Sequence, residues 1–203
     1  MPISLSTRPV RRLAAALAGA ACLCAAAPVA AQACASTPTS QPFAQFGDSA
    51  SYSRVPGGSF EPGSAPWAMS ESAIVGENES YRVAGGSHSL EIRQGGEAVS
   101  PPMCVNSSYP TLRFFARQMP SRYGWGVLAV SVRWTAADGS RQETVVGSTQ
   151  GETSWSPGPI MNLADALPIW SGSPDLQVQL VFRAYAGGAD WEIDDVYADP
   201  YSR

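Results

Sequence analysis

Leu176-Gln177-Val178-Gln179-Leu180-Val181-Phe182-Arg183-Ala184-Tyr185 alternates with strict period two over ten residues. Side chains of a strand point to opposite faces in turn, so Leu176, Val178, Leu180, Phe182 and Ala184 read as one buried face. Gln177, Gln179, Val181, Arg183 and Tyr185 read as the wet one.

Two more stretches repeat the pattern. Val127 to Trp134 turns Leu128, Val130, Val132 and Trp134 inward. Thr111 to Arg117 does the same with Leu112, Phe114 and Ala116, leaving Arg113, Phe115 and Arg117 outside. Shorter strands are expected at Ala50 to Val55, Ser72 to Val75, Ser80 to Ala84, His88 to Arg93, Val99 to Val105, Gln142 to Val146 and Trp191 to Ala198. Pro56-Gly57-Gly58, Gly85-Gly86, Gly95-Gly96, Asp138-Gly139, Pro157-Gly158-Pro159 and Gly187-Gly188 punctuate them as turns, and Asp138-Gly139 reads as a tight hairpin. Only Ile160 to Leu167 looks helical, stopped by Pro168. Many short strands, regular turns and almost no helix predict an all-β fold, a β-sandwich of two antiparallel sheets or a barrel.

The chain around this core is organised for export. Arg8, Arg11 and Arg12 precede an apolar run from Leu13 to about Ala27, followed by small residues ending in Ala31-Gln32-Ala33. That order predicts a cleavable signal peptide over 1–33 rather than a core helix or a membrane span. Val10 and Leu13-Ala14 match a twin-arginine signal only in part, which favours general secretion. Ala31 and Gln32 fit lipidation of Cys34 poorly. Residues 34–49 then form a polar N-terminal arm and 50–203 the β-sandwich domain, enough for one core. The expected address is secreted or extracellular, with attachment to the cell surface left open, and no transmembrane segment is expected in the mature chain.

Removing the signal changes the chemistry. The chain has 13 basic residues, all arginine, against 17 acids, for a net charge of −4. The signal takes three arginines and no acid, so the mature charge falls to −7. That disfavours a nucleic-acid or anionic-membrane partner. Cys22 and Cys24 leave with the signal, and in an oxidising compartment Cys34 and Cys104 read as one disulfide. It closes a loop of about 70 residues, worth roughly 4 kcal/mol on the chain-entropy model. A reactive thiol or a metal ligand would need a neighbouring His or second Cys, which neither residue has in sequence.

Val55-Pro56-Gly57-Gly58-Ser59-Phe60-Glu61, followed by Trp67, then Ser87-His88-Ser89-Leu90-Glu91-Ile92, and finally Trp191-Glu192-Ile193-Asp194-Asp195-Val196-Tyr197, stand in an order that resembles the galactose-binding-like jelly rolls of carbohydrate-binding modules. The chain also resembles secreted actinobacterial proteins carrying the same Pro-Gly-Gly-x-Phe-Glu and Asp-Asp-Val-Tyr blocks. The resemblance implies a jelly-roll β-sandwich. It implies a structural Ca²⁺ held by Glu61 and Asp194, with Asp195 as substitute, a set of hard oxygens suited to that ion. Ordinary surface acids or turn caps are the competing reading. The resemblance also implies a glycan as partner.

Catalysis has little to work with: one His, no Lys and no nucleophile motif. His88 reads as a surface or turn residue, and Glu61 with Asp194 is the best carboxylate pair for glycoside chemistry. No enzyme activity is expected. A binding role is better supported, because Arg113, Phe115, Arg117, Arg133, Gln179, Arg183 and Tyr185 on wet faces mix flat rings with planar donors. Tyr123-Gly124-Trp125-Gly126, with Trp125 between glycines ahead of a strand, is a second candidate at a loop tip, the alternative being a lid folded back on the sandwich. An arginine cluster on an acidic domain predicts an acidic glycan or peptide. The expected function is a secreted non-catalytic carbohydrate-binding domain; the alternative is a structural or protein-interaction domain of the cell envelope without sugar affinity.

Overall fold

The computed structural model describes residues 37–105, 111–122, 124–168, 175–185 and 188–199. The expected signal segment, Cys34, Tyr123 and Trp170 lie outside them. In chain order the strands are β1 (Thr39–Ser40), β2 (Tyr52–Arg54), β3 (Ala68–Val75), β4 (Ser89–Val99), β5 (Met103–Val105), β6 (Thr111–Gln118), β7 (Val127–Thr135), β8 (Arg141–Gln150), β9 (Ser156–Pro157), β10 (Met161–Asn162), β11 (Leu176–Ala184) and β12 (Trp191–Asp199).

Pairing is antiparallel throughout and curls into the two layers of a jelly-roll sandwich. One layer runs β3-β4-β11-β7-β8, and the other is built on β12, flanked by β2 and β6, with β1, β9 and β10 at its margins. β4 joins the layers. Its first half pairs with β12 (Leu90↔Ile193) and its second half with β11 (Val99↔Val181). Between them Arg93 to Gly96 bulge opposite Glu71 of β3 alone. Gly95-Gly96 is therefore a bulge inside a strand, where a turn was expected. A Cβ on Gly96 would lie 2.5 Å from the Glu71 carbonyl oxygen, so the crossing needs glycine.

The expected inward residues fill the space between layers. Leu112, Phe114, Leu128, Val130, Val132, Val178, Leu180 and Phe182 are buried in one cluster with Trp67, Trp191 and Ile193, and Trp134 packs against its edge. The Asp138-Gly139 hairpin joins β7 to β8 as expected, with Gly139 N–H donating to the Ala136 carbonyl and Gly139 at φ +82°. Three other expectations fail. Val99 to Val105, expected as one strand, is divided between the end of β4 and β5. Ser80 to Ala84 forms no strand but part of a loop wrapped around a carboxylate. Ile160 to Leu167 holds β10 and a 3-10 turn at Ala164–Ala166 rather than an α-helix. That segment is too short to close several helical hydrogen bonds, and Met161 is taken up by pairing with Leu112.

Candidate functional site

The outward residues of the three long strands divide between two opposite surfaces. Arg113, Phe115 and Arg117 project from β6 on the outside of the second layer, and this surface is covered. Residues of the arm and of the β3–β4 loop pack over it, so every residue of β12 is buried on both faces. Phe115 is wholly buried, stacked on Phe43 and flanked by Phe46 and Tyr81. Arg113 donates to Asp48 and lies over the Phe43 ring, 4.7 Å from its centroid. Arg117 bridges Glu77 and Glu192 over Trp155. Two carboxylates outweigh the cost of burying this guanidinium and raise its pKa, while burial raises that of Glu192. Phe115 belongs to a second small core and Arg113 and Arg117 lie half-buried over its rings, so this is not the wet binding surface that the alternation alone implied.

The opposite surface is open. On the outside of the first layer Gln179 faces Arg133 across the β11–β7 pairing, and Arg183 faces Ala129 on one side and Glu97 on the other. Beneath these long side chains Val181, Ser131, Ala129 and Val99 are buried although they point outward. The charged residues lie flat on the sheet and cover its centre.

They are tied together. The Arg183 guanidinium donates from Nε to Glu97 at 2.7 Å and from Nη1 and Nη2 to Glu143, and Arg133 donates from Nε to the same Glu143 at 3.0 Å. Hydrogen bonds from Arg183, then Arg133, outweigh the burial of Glu143 and hold its carboxyl down to about 2. Glu97 and Glu143 were not foreseen as site residues, because period-two alternation says which face a residue shares and not which neighbours it meets.

This surface has defined ends. At the Gln177 end lies a depression of about 170 Å³ lined by Arg133, Trp134, Arg141, Gln177 and Gln179. At the other, Tyr185 and Trp125 are 56% and 67% exposed, the largest such values among the exposed aromatic rings. Their loops are built together. Tyr185 N–H donates to the Val127 carbonyl, Gly126 N–H to the buried Gln118 amide oxygen at 2.8 Å, and Ser121 Oγ to the Gly188 carbonyl. A Cβ on Gly188 would stand 3.0 Å from Gly126 Cα. These bonds join the two loops, and both rings remain in water. The loop-tip expectation for Trp125 agrees with its exposure; Tyr123 lies outside the described residues.

Glu61, Asp194 and Asp195 belong to a third place. Asp195 has φ +47°, in a bulge where β12 leaves β4 and takes up β2. The β3–β4 loop plugs the gap, and acids hold it by accepting its backbone N–H groups. Asp194 accepts from Glu79 and Asp195, Asp195 from Ala84, Glu79 from Tyr81 and Val83, and Glu61 from Ser87 and His88. Burial, then the charge of Asp195, pushes the Asp194 carboxyl up to about 8, and burial pushes that of Asp195 to about 6. Glu61 is held below its ordinary value, since donors from Ser87 and His88 outweigh its burial. His88 Nδ1 lies 3.1 Å from Glu61 Oε2.

Among the described residues no three His, Cys, Asp or Glu side chains converge on one point. Asp194 is a poor metal ligand for a specific reason: it is buried and both its oxygens are taken by backbone donors. The same burial keeps it from pairing with Glu61 across an open glycoside-binding cleft. Asp195 Oδ1 and Asn78 Oδ1, by contrast, are buried without a protein partner. Glu61 Oε1 and Asn78 Nδ2 both border the space that a Cβ on Gly86 would fill, at 2.3 and 3.1 Å. Cys104 is disulfide-bonded, and Cys34 lies outside the described residues. No described helix is long and apolar enough to cross a membrane.

No family model matches the chain, and no curated protein matches its sequence. Solved structures do match in shape. The chain is similar to the tandem family 22 carbohydrate-binding modules of Paenibacillus barcinonensis Xyn10C at 12% identity and a TM-score of 0.50, over 71% of this chain and 44% of that one. It is similar to the single xylan-binding domain of the same protein at 10% identity and 0.48, over 68% and 86%. The family 11 module of a Clostridium thermocellum cellulosomal cellulase gives 10% and 0.48, over 73% and 94%. The likeness is one of fold: this chain folds as the jelly-roll β-sandwich of carbohydrate-binding modules.

Proposed function

We propose that the chain is an exported, non-catalytic carbohydrate-binding domain that holds a glycan along the outer side of β11. The observation that carries this reading is the pair of exposed rings, Trp125 and Tyr185, on mutually braced loops at the end of a polar surface bearing Gln177, Gln179, Arg133 and Arg183. Aromatic faces stack on the apolar faces of sugar rings, and guanidinium, amide and carboxylate groups bond their hydroxyls. From Gln177 to Tyr185 the outward positions span about 26 Å at roughly 3.3 Å per residue, room for several sugar units. The tandem family 22 carbohydrate-binding modules, which share this fold, favour a glycan as the class of ligand here. The sequence of residues 1–33 supports export, and the Cys34–Cys104 disulfide belongs to the same proposal. A panel of immobilised glycans tests the reading: the protein is retained by at least one, and Trp125→Ala and Tyr185→Ala weaken that retention.

A structural Ca²⁺ is the second part of the proposal. Asp195 and Asn78, whose buried oxygens lack protein partners, would hold it with Glu61, and it would supply positive charge where Asp194, Asp195, Glu79 and Glu61 gather around the β3–β4 loop. Melting with calcium and with EDTA tests it.

A further inference from the structure

Arginines at 133 and 183 on a mature chain of charge −7 suggested an acidic ligand, and the structure removes the basis for that expectation. Both guanidinium groups are already satisfied. Arg183 is forked between Glu97 and Glu143, and Arg133 reaches Glu143 at 2.9 Å and Glu97 at 3.6 Å. Two cations and two anions form one closed network, so the surface carries no excess charge at its centre. The four side chains come from β4, β7, β8 and β11, each held by strand pairing, which fixes the network in place. Arg183 and Glu143 are 36% and 27% exposed, so the network meets solvent and whatever ligand lies over it.

We propose that Glu97 and Glu143 are specificity determinants, masking Arg133 and Arg183 so that the β11 surface accepts uncharged glycans and rejects polyuronates and sulfated chains. This rests on the glycan-binding reading above and assigns its substrate class. The masking works in two ways. A carboxylate on an incoming sugar meets no free guanidinium, and it is brought close to two fixed carboxylates that repel it. Neutral hydroxyls meet no such penalty, since they carry no charge to be repelled and can donate to the carboxylate oxygens of Glu97 and Glu143.

The test compares retention of the full chain on neutral polysaccharides with retention on polygalacturonate and heparin. Wild type is expected to bind a neutral polysaccharide and neither polyanion. Glu97→Gln with Glu143→Gln leaves two uncompensated arginines and raises the ratio of polyanion to neutral retention about tenfold, equivalent to about 1.4 kcal/mol. The gain disappears at about 1 M salt, where the screening length is about 3 Å. Arg133→Gln with Glu143→Gln removes one charge of each sign and leaves the ratio where it was. Should the double glutamine variant fold poorly, Glu143→Gln alone reads the same ratio in the same direction. An unchanged ratio in a variant that still binds neutral glycan overturns the masking role alone, as does wild-type binding to polyanions or an equal rise in the charge-balanced variant. Wild type that binds no glycan overturns the binding reading and this inference with it.

Discussion

Phe43 stacks on Phe115 with ring centroids 5.2 Å apart, joining the N-terminal arm to the outside of β6. That contact makes the outer side of the second layer an interior surface, with Tyr52, Trp155 and Tyr197 completing the cluster. Phe43→Ala empties a buried site and is expected to cost about 3 kcal/mol of unfolding free energy. Glycan binding, on the opposite layer, keeps its affinity. Urea denaturation and titration of the same variant check both halves, and lost affinity without lost stability would contradict the assignment of surfaces.

Asp48 gives that docking a pH dependence. It accepts from Tyr52 Oη, Ala50 N–H and Arg113, which together outweigh its burial and hold its pKa below the ordinary value. A depressed carboxylate contributes stability that is complete above its unfolded pKa, about 3.9, and is lost as pH falls through the lower folded value. Asp48→Asn removes this contribution. Its stability deficit, about 2 kcal/mol at neutral pH for an unpaired Arg113, is expected to shrink between about pH 5 and pH 2. Denaturation curves for wild type and variant across that range measure it; a deficit independent of pH would contradict the role.

How much of this was legible in the sequence follows from what periodicity reports. The alternation in β6, β7 and β11 placed Leu112, Phe114, Val130, Leu180 and Phe182 correctly in the core, because phase along a strand decides burial against the facing layer. It left open what covers the outer face. The arm read as polar, yet Phe43 and Phe46 within it were a signal that it docks. Glu97 and Glu143 became site residues only through the register that sets them beside Arg183 and Arg133. The Asp194-Asp195 block was conspicuous in sequence, but its bulge follows from β12 changing partners, which no local pattern announces.

Trp125 and Tyr185 are exposed on braced loops, so truncating either opens no cavity and, on the proposed reading, removes a ligand contact. Each alanine variant is expected to lose about 1 kcal/mol of glycan affinity, roughly fivefold, with a melting midpoint within about a degree of wild type. Calorimetric titration and differential scanning check the two quantities on one sample.

Calcium is expected to raise the melting midpoint over that in EDTA, with the increment lost in Asp195→Asn. An equal midpoint in both conditions, for wild type, would remove the ion from the proposal.

The most direct measurement is the affinity of the full chain for soluble neutral oligosaccharides of increasing length. Affinity is expected to climb with each added unit until the ligand spans about 26 Å along β11 and to level off beyond, with Tyr185→Ala lowering the plateau. No binding at any length, or binding that ignores both length and Tyr185, would contradict a glycan site on this surface.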